Sequence, residues 1–147
     1  MRASNAALAE AGARVLEEAW WPGAARGSLR LLSPAAATAA EGLHAPFLAV
    51  VRAPLDWRAW VRRADGRDAR GLDDAAARAA LAADDGVPER IANAVLAAGN
   101  LQSVFFPWDY AGEPAVWCRI SAQVYNEVED YAALARAVLA VKAAEGA

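Results

Sequence analysis

The sequence predicts an α+β fold, in which a small, three-stranded, mainly antiparallel sheet is covered on one face by helices. Runs rich in β-branched and aromatic residues occur at three places and have the length of strands. Longer stretches with apolar residues at helical spacing precede, separate and follow these runs. A short stretch that contains Pro and Gly joins the last two strand candidates, which favours an antiparallel hairpin.

The composition indicates one small domain without a nucleic-acid or membrane partner. A chain of 147 residues can build one ordinary core, and we treat residues 1–147 as a single small domain. The net charge of -3 does not support nucleic-acid binding, and no stretch is long and apolar enough to span a membrane. The single cysteine, Cys118, excludes an internal disulfide and fits the cytoplasm or an organelle matrix.

The first part of the chain predicts one helix and one strand. Apolar residues recur at helical spacing over residues 4–20. We interpret residues 1–21 as a linker helix, because no earlier segment of this sequence could cover its apolar stripe. Residues 23–46 are rich in Ala, Gly, Ser and Pro, which predicts loop or weak helix. Phe47–Val51 is the first predicted strand.

The second part of the chain predicts a hairpin between two helices. Residues 55–86 are charged and uneven, which predicts a partly helical surface insertion. The remaining predicted elements are a helix from Val87, a strand at 103–106, a turn at 107–114, a strand at 115–122, and a last helix whose capping-box-like start is Asn126 with Glu129.

Arg119 is the candidate binding residue of the third predicted strand. Alternation places Val116, Cys118 and Ile120 on the face that meets the helices, and Arg119 on the opposite face between Trp117 and Ser121. A planar guanidinium matches a carboxylate or phosphate in bidentate fashion, and a strand would hold it in a fixed geometry. By spacing alone, an arginine on a solvated sheet face is the more common case, so both interpretations stay open.

Residues 117–135, WCRISAQVYNEVEDYAALA, resemble the closing motif of the class V aminotransferase family, whose members are fold-type I enzymes that use pyridoxal phosphate. Within the family, this segment is most similar to the isopenicillin N epimerase-like and cysteine desulfhydrase-like branch. The resemblance implies a strand of the small C-terminal domain, here called the lobe, that leads into its last helix. It also implies that Arg119 binds the α-carboxylate of an amino-acid substrate. Residues 47–54 and 87–106 resemble the first strand and the helix-then-strand of the same lobe.

The resemblance also implies parts that this chain does not carry. In fold-type I enzymes, a lysine of the large domain holds pyridoxal phosphate, and an aspartate of that domain pairs with the ring nitrogen of the cofactor. Lys142 is the only lysine here, and its place near the end of the last helix indicates a solvated cation that complements the helix dipole. We therefore expect the complete enzyme to use pyridoxal phosphate and this chain alone to bind none.

Other kinds of catalytic site have little support in the sequence. A persulfide-forming desulfurase is disfavoured, because the only cysteine, Cys118, is predicted to face the core. His44 is the sole histidine, which supports neither a zinc site nor a catalytic triad.

Two hypotheses about function follow. In the first, the chain is the C-terminal lobe of a pyridoxal-phosphate-dependent amino-acid-processing enzyme of the epimerase, lyase or class V aminotransferase type. Residues 1–21 would lead into the lobe, its partner would be a missing large domain, and it would not be catalytic by itself. In the second, the chain is a stand-alone, non-catalytic binding or regulatory module derived from that lobe, which pairs with a full-length relative. Neither hypothesis specifies the amino acid or the reaction.

Overall fold

The computed structural model describes residues 2–25, 30–31, 48–110, 112–123 and 126–145. No helix within these ranges is long and apolar enough to cross a lipid bilayer. In chain order, the elements are α1 Arg2–Trp20, β1 Arg30–Leu31, β2 Leu48–Arg52, α2 Trp57–Trp60, α3 Asp74–Ala83, α4 Val87–Gly99, β3 Val104–Tyr110, β4 Glu113–Ser121 and α5 Val128–Glu145.

The described strands form one antiparallel sheet with the order β1-β2-β4-β3. The predicted α+β class and antiparallel pairing are confirmed, and the three predicted strands correspond to β2, β3 and β4. The prediction of three strands misses β1, which consists of Arg30 and Leu31 and pairs with β2. It lies in the stretch predicted as loop or weak helix, because two residues are too few to show the alternation of a strand.

The hairpin of β3 and β4 has a shorter turn than predicted. The two strands stay paired as far as Tyr110 and Glu113, and Gly112 between them has a φ of 86°. Pro107 and Pro114, which indicated the turn, lie inside the strands. A proline fits a strand at a position where its missing N–H would point away from the paired neighbour. Because of these two prolines, about half of the paired length of this hairpin was predicted as a turn.

One face of the sheet packs against α1 and α4, α5 packs against both of these helices, and together they form the main core. The predicted alternation is confirmed, since Val116, Cys118 and Ile120 are all buried on this face. On the opposite face, a smaller cluster contains buried Val50, Ala115 and Trp117, with partly buried Phe106 packed against it. The sheet therefore has a helix-covered face and a second face on which no described helix packs.

Helix α1 packs into the same core. Its buried apolar side chains are Ala9, Ala13, Leu16 and Trp20. The Trp20 indole N–H donates to the Ala135 carbonyl of α5 at 3.3 Å, and the Trp21 indole N–H donates to the Arg52 carbonyl of β2 at 2.9 Å. Residues 1–21, interpreted from sequence as a linker helix, are thus attached both to the sheet and to the last helix.

The stretch 55–86, predicted as a surface insertion, is partly buried. Its arginines and aspartates form ion pairs with each other. Because these charged residues alternate irregularly with the apolar ones, the sequence shows no clear apolar periodicity here. The side chains that it contributes to the main core are Leu55, Trp57, Val61, Ala69 and Ala77.

Candidate functional site

Arg119 lies two residues before the end of β4, which is hydrogen-bonded on one side to β2 and on the other to β3. In this register, Val50 and Val104 are its directly paired neighbours. The side chain is exposed and lies on the face opposite to the main core, as the alternation predicts. Strands on both sides restrict the backbone of Arg119, so its guanidinium projects from a rigid support.

The Arg119 guanidinium makes no hydrogen bond or ion pair with any described residue. Its backbone carbonyl accepts a hydrogen bond from the Ser103 hydroxyl at 3.4 Å. An exposed, unpaired arginine leaves its five N–H donors available to an anion. By contrast, several other described arginines pair with a carboxylate, namely Arg52, Arg58, Arg63, Arg70, Arg78 and Arg90.

Arg119 borders a groove of about 660 Å³ between the start of β3, the end of β4 and the start of α5. Its lining contains one cation, Arg119, and one carboxylate, Asp130. A volume of this size falls in the range of small-molecule sites, roughly 300–1,000 Å³. The neutral residues of the lining are Leu101, Gln102, Ser103, Val104, Ile120, Ser121, Gln123, Asn126, Tyr131 and Leu134.

The start of α5 differs from the predicted capping pair of Asn126 and Glu129. The Asn126 side chain accepts from the Gln123 N–H at 2.9 Å, and the Asp130 carboxylate accepts from the Glu127 N–H at 2.8 Å. The acidic member of the capping contact is thus one residue later than predicted, and Asn126 closes the turn before the helix. Both of these side chains already accept a backbone N–H, whereas the Arg119 guanidinium makes no hydrogen bond with a described residue.

Tyr131 fixes α5 to the end of β4. Its hydroxyl donates to the Ser121 carbonyl at 3.2 Å, and its ring is buried between α1 and α5. Burial, together with the nearby Asp130 charge, raises the pKa of the Tyr131 hydroxyl above its usual value. The hydroxyl therefore stays protonated and acts as a fixed hydrogen-bond donor, not as a base.

Cys118 faces the core, as predicted, and its thiol lies 3.2 Å from the Ser103 hydroxyl. Burial raises the pKa of the Cys118 thiol to about 12. The thiolate is the reactive form of cysteine, so this thiol does not serve as a nucleophile at neutral pH.

The described residues around the only lysine of the chain do not fit a pyridoxal-phosphate site. Lys142 is the only lysine of the chain, and its exposed side chain belongs to the last turns of α5. It lies eight residues beyond the groove residue Leu134, which corresponds to about 12 Å along a helix. Asp130, the carboxylate of the groove, already caps the helix. No reaction step through that cofactor follows from this chain.

Several residues considered in the sequence lie outside the described part of the chain, namely His44, Phe47, Val124 and Tyr125, as does most of the stretch 23–46. Sequence reasoning missed the groove itself and the apolar side chains that β3 places on the face of Arg119. The signal was present in the alternation of Val104, Phe106, Trp108 and Tyr110, but Pro107 in their midst indicated a turn.

Comparisons of the chain with protein-family models, curated proteins and solved structures found no match.

Proposed function

We propose that this chain is the C-terminal lobe of a pyridoxal-phosphate-dependent enzyme that processes amino acids, of the epimerase, lyase or class V aminotransferase type. In this proposal, Arg119 binds the α-carboxylate of the substrate, and a separate large domain supplies the cofactor and its lysine. The proposal starts from the resemblance of residues 117–135 to the closing motif of that family. The observation that carries it is the unpaired, exposed guanidinium on the rigid strand β4.

The geometry around Arg119 suits a carboxylate. Carboxylates accept two parallel N–H bonds from one guanidinium, and this match requires that the arginine be held in place. β4 is paired on both sides at Arg119, so its backbone is already ordered and the entropy lost when the anion binds is that of the side-chain rotamers. The residue would bind and orient the substrate, and proton transfer would belong to groups outside this chain.

The exposed side chains on the face of Arg119 support contact with a second body. Val104, Trp108 and Tyr110 are among the exposed large apolar side chains, and all three lie on the face of Arg119. Exposed apolar patches of this kind are typical of interaction surfaces. A domain that covers part of this face would exclude water from the guanidinium and strengthen its attraction for a carboxylate.

The test is a complex of this chain with a lysine-bearing, pyridoxal-phosphate-binding domain encoded beside it. We expect Arg119→Ala to weaken amino-acid binding on the order of 100-fold, because a charge-assisted bidentate contact is lost. Affinity for the cofactor should stay unchanged, since Lys142 and Arg119 do not form its site. The measurements are amino-acid titrations and the absorbance of the lysine-linked cofactor. Arg136→Ala, which removes an exposed arginine of α5, is the matched control.

Three results would contradict the proposal or part of it. An equal loss of amino-acid and cofactor affinity in Arg119→Ala would show that the arginine is structural. A stoichiometric adduct of pyridoxal phosphate with Lys142 in the chain alone would refute the assignment of the cofactor-binding lysine to a separate large domain. A complex that forms but binds amino acids equally well with and without Arg119 would favour the alternative, a non-catalytic binding or regulatory module derived from the lobe.

A further inference from the structure

Strand β3 carries a series of apolar side chains on the face of Arg119. This series, here called the apolar row, consists of Val104, Phe106, Trp108 and Tyr110. Val104, Trp108 and Tyr110 are 45%, 47% and 51% exposed, and Phe106 is partly buried. A sheet face open to water normally carries polar side chains at alternate positions. Burial in the main core therefore does not account for the apolar character of this row.

The aromatic rings of this face are held in place by each other. The Tyr110 ring centroid lies 5.7 Å from that of Trp108 and 6.2 Å from that of Trp117. The Trp117 indole N–H donates to the Trp108 carbonyl at 3.3 Å, and Trp117 is 5% exposed. The apolar row thus stands beside a buried aromatic ring, and a ligand that covers it orders few additional side chains.

The apolar row begins directly beside the candidate anion-binding residue. Val104 is the cross-strand partner of Arg119, and Phe106 is the partner of Trp117, two residues along β4 on the same face. Directly opposite side chains in such a pair are about 5 Å apart at Cβ, and diagonal neighbours about 7–8 Å. Val104 lines the groove together with Arg119, and Phe106 is the next side chain of the row on the same face, so a molecule whose carboxylate meets the Arg119 guanidinium can extend over both.

The charges on this face favour a ligand with one negative group and an apolar remainder. Glu113, at the far end of β4, pairs with Arg52 at 3.4 Å. No described carboxylate pairs with Arg119, so its charge is complementary to an anion from outside. Val50 and Val104 on either side of Arg119 offer no hydrogen bond to a second charged group, which would be desolvated there at a cost.

We propose that the carboxylate bound at Arg119 belongs to a small molecule with an apolar, preferably aromatic, side chain that lies along the apolar row. This inference rests on the proposed function, because it takes Arg119 as the carboxylate-binding residue and adds the class of side chain. For an amino-acid substrate, it specifies aromatic or large aliphatic amino acids in preference to small or charged ones.

The first test compares two carboxylates on the full chain. 3-Phenylpropanoate and propanoate share the carboxylate and differ in the phenyl ring, and NMR titration of the backbone N–H signals of β3 and β4 gives both affinities, also in variants that lack Arg119. We expect 3-phenylpropanoate to bind on the order of tenfold more tightly, because the ring covers Val104 and Phe106. Arg119→Gln should abolish the binding of both compounds. Arg136→Gln, which removes a charge on α5, should leave both affinities unchanged.

The second test removes the apolar row without touching Arg119. Phe106→Ala should reduce the preference for 3-phenylpropanoate to about threefold or less and leave propanoate binding as it was. Val104→Thr keeps the branched shape and should reduce the same preference, so it serves if Phe106→Ala does not fold. Leu139→Ala, at an exposed apolar position of α5, is the matched control and should change neither affinity.

The outcomes separate this inference from the proposed function. Equal, Arg119-dependent affinities for the two carboxylates would refute the role of the apolar row and leave the carboxylate site intact. Binding of 3-phenylpropan-1-ol as tightly as the acid, unaffected by Arg119→Gln, would refute both. Absence of binding by either carboxylate would also overturn the inference, since the chain contains both Arg119 and the apolar row. The proposed function would then be decided by the amino-acid titration of the complex with the pyridoxal-phosphate-binding domain.

Discussion

Gly12 sets the distance between α1 and α5 beside the candidate site. A Cβ atom at this position would lie 2.6 Å from the Tyr131 ring, well inside van der Waals contact. Tyr131 is 4% exposed, and its hydroxyl is hydrogen-bonded to the end of β4, so the ring cannot turn away freely. A glycine on one helix thus allows the tyrosine of another to reach the strand that carries Arg119.

We expect Gly12→Ala to lower the free energy of unfolding by about 1–3 kcal/mol, the usual cost of overpacking a core. The clash has to outweigh the better helix propensity of alanine, which is about 1 kcal/mol. Urea denaturation measures the change. Gly71→Ala is the matched control, because a Cβ there would meet no atom within 4 Å, and its stability should stay near that of the wild type. A Gly12→Ala variant as stable as the wild type would disprove the close contact.

Asp84 joins the stretch 55–86 to α4. Its carboxylate accepts the Arg62 N–H at 2.6 Å and the Gly86 N–H at 3.2 Å, and it forms an ion pair with the Arg90 guanidinium. Arg90 in turn donates to the Trp60 carbonyl at 2.7 Å. Burial opposes ionisation of this carboxyl, but the hydrogen bonds from Arg62 and Arg90 outweigh it and lower the pKa of Asp84 below 3.8.

A lowered pKa in the folded state means that ionised Asp84 stabilises the fold at neutral pH. This contribution is complete above about pH 3.8 and is lost as the pH falls through the lower folded value. We expect Asp84→Asn to cost about 1–3 kcal/mol at pH 7, because it weakens charge-assisted hydrogen bonds. Denaturation curves between pH 2 and pH 7 should show the difference from wild type shrinking below about pH 3.8. Asp85→Asn, the exposed neighbour, should change stability little, and an equal effect of both variants would contradict the role of Asp84.

At the scale of elements, the end of α5 is fastened to the segment around α2. The Glu145 carboxylate accepts the Trp60 indole N–H and the Asp56 N–H, and its backbone carbonyl accepts from Arg70 at 2.8 Å. Burial raises the pKa of Glu145 above 4.5, although the Trp60 hydrogen bond opposes this shift. The last helix is therefore held at both ends, by Tyr131 at its start and by Glu145 at its end.

A raised pKa has the opposite consequence to that of Asp84. The stabilisation from protonated Glu145 is complete below about pH 4.5 and is lost as the pH rises through the higher folded value. We expect Glu145→Gln, which keeps the acceptor for Trp60 and removes the charge, to match or exceed wild-type stability at pH 7 by up to about 1 kcal/mol. Urea denaturation at pH 4.5 and pH 7 tests this, with Glu89→Gln on α4 as the control. A large loss of stability at pH 7 would show that the charge itself holds the helix.

Most elements could be predicted where the local pattern was long enough to be visible. The helix from Val87, with Pro88 in its first turn and the left-handed Asn100 at its end, agrees with its sequence signals. The prediction failed where the same residue type occurs in two different kinds of local structure. Pro107 indicated a turn but lies in a strand at the edge of the described sheet, and the position of the carboxylate that caps α5 depends on where the preceding turn closes.

At the scale of the whole molecule, the face of Arg119 could be predicted but the surroundings of its guanidinium could not. Alternation along one strand decides the face, whereas the groove combines residues from three separate segments. Their meeting depends on the β3–β4 register and on Tyr131 reaching Ser121, neither of which local periodicity encodes. The absence of a described carboxylate beside Arg119 likewise follows from how the arginines and acids pair across the fold.

Pro107 also affects whether copies of the chain aggregate. β3 is a rim strand of the described sheet, and a rim strand with large apolar side chains is the usual nucleus of intermolecular β-pairing. An incoming strand finds no amide hydrogen at Pro107, in the centre of that rim. Polymerisation along the rim is thereby obstructed, while molecules that approach the broad side of the sheet meet no such barrier. Pro107 thus lowers the tendency to pair strand to strand at a rim where Trp108 and Tyr110 are exposed.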